Sequence, residues 1–272
     1  NAGLWTDGIE LLNLAANASL DKTRGSPVIY YYLGQFAEAQ GDLRKAADYR
    51  SRATQMSPEY VFPFQWEAIR VLRRAVEMNS RDARALYFLG NLLFDWQPEE
   101  AVKLWEHSAS IDPSLPIVHR NLAVAHSRRQ PTNDLAKAIA QLEKATSVGG
   151  KYAMHFAELD ELYASASVSP EKRLAALEQN SEVVLKRDDS LSRLIGMKVF
   201  AGKYDTAIEL MTGRKFSVWE GGTLDVADHW VNAHLRRGQV KLQARQFSAA
   251  LADFQAAQSI PDNLPSDRRG GG

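Results

Sequence analysis

Apolar residues recur along most of the chain at the interval of an amphipathic helix, and a slower rhythm of small residues runs through them. Gly34, Ala46, Ala53 and Pro58 stand 12, 7 and 5 residues apart, and Gly238, Ala250, Ala257 and Asp262 repeat that spacing. Gly90, Ala101, Ser108 and Pro113 give 11, 7 and 5, while Ala123, Ala138, Ala145 and Gly150 give 15, 7 and 5. Ile195, Ala207 and Arg214 keep 12 and 7 with a larger residue in the first place, and Ala68, Ala75 and Ser80 reproduce the second half alone. A seven-residue step returns to nearly the same face of a helix, and a small residue there lets a neighbouring helix approach to about 8–10 Å. The longer step carries the chain round a tight turn into the next helix. The pattern predicts consecutive helical hairpins, with Leu33, Leu89 and Leu122 extending the apolar stripe one residue before each small position.

The connections have matching chemistry. Gly41-Asp42 and Gly202-Lys203-Tyr204-Asp205 join a helix stop to an N-cap. Met56-Ser57-Pro58 and Ile111-Asp112-Pro113 close one unit and open the next, proline being tolerated in a first helical turn.

The segments YYYLGQFAEAQGDLRKAADYRSRATQMSP and ALYFLGNLLFDWQPEEAVKLWEHSASIDP resemble tetratricopeptide (TPR) repeats, whose period is about 34 residues, one helix–turn–helix per unit. The resemblance implies an all-α fold, a right-handed solenoid of about five or six helical hairpins spanning 27–264. It weakens at 152–187, where amphipathic helices lack the small-residue rhythm, and at 213–224. At 59–66 there is no room for a first helix before Ala68, so the stacking is expected to break there, with Phe62, Phe64 and Trp66 at least partly buried to fix the bend. Residues 1–26 read as the end of an upstream region or a ragged first helix, and 265–272 as a disordered tail or linker. The combination of FPFQWEAIRVL, YFLGNLLFDW, VHRNLAVA and FSVWEGG is also similar to the C-terminal TPR region of certain large bacterial proteins that carry an uncharacterised β-sandwich module upstream.

Composition narrows the chemistry. The 33 Lys and Arg balance the 33 Asp and Glu, so the basic excess of a non-specific nucleic-acid binder is missing. The absence of cysteine removes disulfides, thiolate metal sites and a cysteine nucleophile, without fixing the compartment, for which the cytoplasm is favoured. No apolar stretch approaches the roughly 18–20 residues of a membrane span. His119 and His126 are seven residues apart, and His229 and His234 five, neither a metal-ligand spacing within one helix. The carboxylate pairs Glu99-Glu100, Asp160-Glu161 and Asp188-Asp189 fall near helix starts or on polar faces, where they complement the helix dipole. No catalytic residue, metal site or cofactor is expected. The basic clusters Arg70/Arg73/Arg74, Arg128/Arg129, Lys186/Arg187 and Arg236/Arg237/Lys241 read as solvated faces, any of which could hold an anion locally.

In a TPR array the first helix of each unit lines an inner groove. Carried over by distance from the small residue, that groove receives Tyr31, Gln35, Tyr87, Asn91, Arg120, Val124 and Ser127. The Lys/Asn carboxylate clamp of one TPR subclass has no counterpart in the first unit, which offers Tyr31, Gln35 and Glu38. The loop Trp219-Glu220-Gly221-Gly222 is a further candidate contact. The expected function is protein–protein interaction, with a protein or peptide partner in the groove. The alternative is a non-catalytic accessory region of a larger bacterial carbohydrate-active protein, whose partner is an upstream domain of the same polypeptide.

Overall fold

The structure is a computed structural model that describes residues 3–18, 26–128, 134–148, 152–217 and 224–265. Among the described residues there are fifteen helices and no strand. They fall into two compact units, Asn1–Asn133 and Asp134–Gly272.

The N-terminal unit contains α1 (Trp5–Ala18), α2 (Pro27–Ala39), α3 (Leu43–Gln55), α4 (Glu67–Met78), α5 (Ala83–Leu93), α6 (Pro98–Ile111) and α7 (Pro116–Arg128). Pro27 opens α2 with its φ already helical. Gly41 closes it in the left-handed region at φ +83°, so that the Asp42 and Gly41 N–H groups return to the carbonyls of Ala37 and Glu38, both at 2.9 Å. The Asp42 carboxylate then caps α3 by accepting from the Lys45 N–H at 2.9 Å. Two consecutive residues thus end one helix and start the next.

Gly34 and Gly90 lie inside helices where the partner helix crosses. A methyl carbon at Gly34 would stand 2.9 Å from Cγ of Arg50, and one at Gly90 2.4 Å from Nε1 of Trp105. Ala46, Ala53 and Ala101 occupy the matching places on the second helices and are buried. Ser108, buried as well, satisfies its hydroxyl by donating to the Ala83 carbonyl at 2.7 Å. These contacts run into one apolar core containing Leu33, Leu72, Phe88, Leu93, Trp105 and Leu122.

No helix forms between Gln55 and Glu67. The stretch 57–66 runs without regular structure, and α4 packs against both α2 and α5. Its aromatic residues are not the plug expected from the sequence: Phe62, Phe64 and Trp66 are 72%, 78% and 62% exposed. The reason is the two-residue alternation of an extended chain. Val61 and Pro63 turn inward, Val61 onto the core, which leaves Phe62 and Phe64 on the opposite side; Tyr60 is turned out by a left-handed turn at φ +58°, and Trp66 stands at the start of α4.

The C-terminal unit contains α8 (Leu135–Ser147), α9 (Ala153–Ser165), α10 (Pro170–Glu178), α11 (Ser181–Val184), α12 (Asp188–Phe200), α13 (Tyr204–Thr212), α14 (Val226–Gln243) and α15 (Phe247–Gln258). The pairs α12/α13 and α14/α15 follow the small-residue rhythm, with Ala207 and Ala250 buried. A methyl carbon at Gly238 would stand 2.6 Å from the Phe254 ring. The stretch lacking that rhythm is held by polar contacts. Arg173 makes a two-pronged bond to the buried Asp160 at 2.8 and 2.9 Å, and the Tyr163 hydroxyl donates to Glu143 at 2.6 Å. Residues 214–217 fold against 260–264: Phe216 is buried, its N–H donates to the Asn263 carbonyl at 3.0 Å, and the Asn263 amide caps the carbonyls of Met211 and Arg214 at 2.8 Å each.

Candidate functional site

The N-terminal unit carries all seven residues assigned to the groove, on α2, α5 and α7. Tyr31 and Tyr87 serve the core rather than an open surface, at 1% and 2% exposure. The sequence gives their angular position on the helix but not what covers it. Tyr31 is covered by the turn before α5, where its hydroxyl donates to both oxygens of Asp82 at 2.9 Å. That carboxylate also caps α5, accepting from the N–H groups of Arg84 and Ala85 at 3.1 and 3.0 Å. Burial raises the Tyr31 hydroxyl well above its ordinary pKa, helped by the adjacent Asp82, and burial likewise raises Asp82.

Asn91 is committed as well. Its amide oxygen accepts from the Trp105 indole at 3.1 Å and from the Asn121 amide at 2.8 Å, which ties α5 to α6 and to α7. Arg120 lies close enough to influence Tyr87 electrostatically, and it, Val124 and Ser127 are half-buried on α7. The Ser127 hydroxyl donates back to the Val124 carbonyl at 3.0 Å. Gln35 is half-buried on α2, with its amide oxygen facing no donor. The structure therefore brings Tyr87, Asn91 and Arg120 together, with Asn121, which sequence spacing did not single out because it lies one residue beyond the expected stripe. The candidate loop Trp219-Glu220-Gly221-Gly222 lies outside the described residues.

Two open cavities flank α2. One, of about 620 Å³, lies between α2 and α4, with Gln35, Glu38 and Ala39 on one side and Trp66, Ile69, Arg70, Arg73, Arg74 and Glu77 on the other. The second, of about 1220 Å³, is enclosed by Leu11 and Leu12 of α1, by Ile29, Tyr32 and Phe36 of α2, and by Tyr60–Phe64 of the extended stretch. Glu38 is gripped by Arg50 and Arg74, and these bonds, that of Arg74 foremost, hold its carboxyl below the usual range.

The acidic pairs act as ion-pair partners. Asp188 meets Arg214 at 2.7 Å, Asp189 meets Arg187 at 2.8 Å, and Glu100 meets Arg73 at 3.0 Å. Among the described residues no group of three His, Asp or Glu side chains could hold a metal ion, and no helix is long and apolar enough to cross a membrane.

Paired helices stacked through small-residue contacts define a helical-repeat protein. Residues 67–95, covering α4 and α5, match the family model of the tetratricopeptide repeat. The fold is similar to that of YrrB, described as a TPR protein with an unusual peptide-binding site, at TM-score 0.50 and 18% identity over 72% of this chain and 94% of that one. The C-terminal part of a TPR repeat-containing protein from Cytophaga hutchinsonii matches at TM-score 0.48 and 13% identity, over 97% and 96% of the two chains. MamA matches at TM-score 0.44 and 17% identity, over 69% and 88%. The chain carries a tetratricopeptide repeat, and its fold is of the TPR type.

Proposed function

We propose that this protein is an interaction module that holds a peptide segment of a partner protein against α5 and α7, without chemistry of its own. The TPR fold supports a role in protein–protein interaction. The observation that supports the finer reading is the tie between neighbouring first helices, Asn121 to Asn91 at 2.8 Å, with Arg120 near enough to Tyr87 to influence it and Val124 and Ser127 further along α7. Arg120 offers planar donors suited to peptide carbonyls and carboxylates. Val124 adds apolar contact. YrrB, similar in fold, is described as having a peptide-binding site, which agrees with a peptide as the ligand.

The test is a selection from a displayed peptide library, followed by affinity measurements on a recovered peptide. Arg120→Ala is expected to weaken it by about tenfold or more, since a hydrogen bond from a charged donor contributes roughly 1.5–3 kcal/mol. The melting temperature should stay within a few degrees of the parent. Unchanged affinity, or a library that yields no binder, would exclude this surface. Asn91→Ala is a poorer probe, because it strips an acceptor from both Trp105 and Asn121 and so perturbs packing.

A further inference from the structure

The missing first helix ahead of α4 changes what lines this face of the N-terminal unit. Where a first helix would stand, α4 instead presents Trp66, Ile69, Arg70, Arg73 and Arg74 across the 620 Å³ cavity from Gln35, Glu38 and Ala39. Arg70, Arg73 and Arg74 fall at i, i+3 and i+4, the spacing that collects side chains on one helical face. The cavity wall already displays the chemistry such a cluster favours: the Glu38 carboxylate sits between the guanidinium groups of Arg50 and Arg74. With Arg50, four guanidinium groups stand in or behind this wall, among the carboxylates of Glu38, Glu77 and Glu100 and of Glu67, three residues before Arg70 on α4. The Arg73–Glu100 pair, 45% and 37% exposed, is the kind of surface ion pair that contributes little and exchanges readily for another carboxylate. Next to the arginines two indoles lie open: Trp66 is 62% and Trp96 70% exposed, with ring centroids 5.9 Å apart. Large aromatic side chains left exposed side by side, and arginine, are what protein-binding surfaces are enriched in.

We infer that this cavity is an acidic-peptide pocket: it takes Asp or Glu side chains of a bound segment onto Arg70 and Arg73, with a neighbouring apolar side chain of that segment against Trp66. The inference rests on the reading of the protein as a peptide-binding module and adds a second contact, between α2 and α4, that names the chemistry of the peptide. The contacted carboxylates belong to side chains, because the arginines lie along the helix rather than closing round one terminal group.

Fluorescence anisotropy with labelled synthetic decapeptides tests this on the full chain. One peptide alternates Glu and Phe with Gly spacers and ends in an amide; a second replaces every Glu by Gln; a third is the Glu peptide with a free C-terminus. The Glu peptide is expected to bind about tenfold more tightly than the Gln peptide, as one charge-assisted contact provides. It should weaken with added salt and be indifferent to its C-terminus. In an Arg70→Gln/Arg73→Gln variant the preference for Glu should vanish, and Trp66→Ala should weaken Glu and Gln peptides alike. Equal binding of the two peptides, a preference that survives loss of both arginines, binding only with a free C-terminus, or a Glu peptide weaker than about 1 mM would each overturn the inference. If that happens while a library-selected peptide still depends on Arg120, the pocket assignment fails and the peptide-binding reading stands. If no selected peptide binds either, the broader reading fails too.

Discussion

At Gly90 the neighbouring helix comes closest, and Gly90 and Gly34 are not equivalent. Alanine at Gly90 would put a methyl group 2.4 Å from Nε1 and 2.7 Å from Cδ1 of Trp105, a buried ring held by hydrogen bonds to the Tyr87 carbonyl and Asn91. At Gly34 the nearest atoms are Cγ of Arg50, at 2.9 Å, and the Ala46 carbonyl oxygen, at 3.2 Å. Alanine gains about 0.5–1 kcal/mol over glycine in a helix interior, and overpacking costs about 1–3 kcal/mol. Gly90→Ala should therefore destabilise by about 1–2 kcal/mol and Gly34→Ala by less, as urea denaturation would show. A second residue-scale expectation concerns acid. Burial pushes the Asp253 carboxyl up, yet bonds from Arg237, Lys241 and His234 outweigh it and hold the group well below the carboxylate range. A depressed carboxyl contributes stability above its unfolded pKa of about 3.9 and loses it as the pH falls below that. His234 is lowered chiefly by burial, opposed by its bond to Asp253, so the unfolded chain takes up its proton first. Stability should decline in two stages on acidification, beginning below about pH 6.5 and again below about 4. Burial lowers His229 as well, so in thermal melts His234→Gln should shrink the first stage and leave the His229 part of it. Asp253→Asn should cost about 1–3 kcal/mol at neutral pH, chiefly by stranding Lys241, since Arg237 keeps Asp205.

Turns and helices show which elements the sequence discloses. The stops at Gly41 and Gly202 are visible because glycine is the residue that left-handed backbone favours. The same turn is made at Ser167 and Arg245, at φ +54° and +60°, where nothing in the sequence announces it. At the second of these, Gln246 N–H returns to the Lys241 carbonyl at 2.8 Å and Arg245 N–H to Leu242 at 3.0 Å, the same pattern of bonds as at Gly41. An L side chain in this region costs about 1–2 kcal/mol, and Arg245 is exposed, so Arg245→Gly should raise stability by about 0.5–1 kcal/mol, read as an upward shift in the urea midpoint. The break at 57–66 was legible from Pro63 and from the lack of room before Ala68. The exposure of its aromatics was not, because their hydrophobicity argued for burial while the alternation of an extended chain decided the side they face.

For the molecule as a whole, the small-residue rhythm foretold the stacked helical hairpins found in both units, because close helix approach leaves a mark at fixed spacing. The candidate surface was legible only in part. Register put Tyr31 and Tyr87 in the groove, yet both are buried in the core: Asp82 takes up the Tyr31 hydroxyl and Trp105 the Tyr87 carbonyl, from turns and helices that only tertiary structure brings there. The acidic-peptide pocket was hidden for a related reason, since Arg70, Arg73 and Arg74 read as a solvated stripe until the missing helix exposes what α4 faces. On the function proposed above, a partner peptide lies on the first-helix face of the N-terminal unit. Hydrogen–deuterium exchange of the full chain with and without a library-selected peptide tests it most directly. Slowed exchange is expected, centred on residues 87–94 and 117–128 and lost when Arg120 is replaced by Ala. Protection confined to residues 134–265, or an unchanged pattern at saturating peptide, would contradict it.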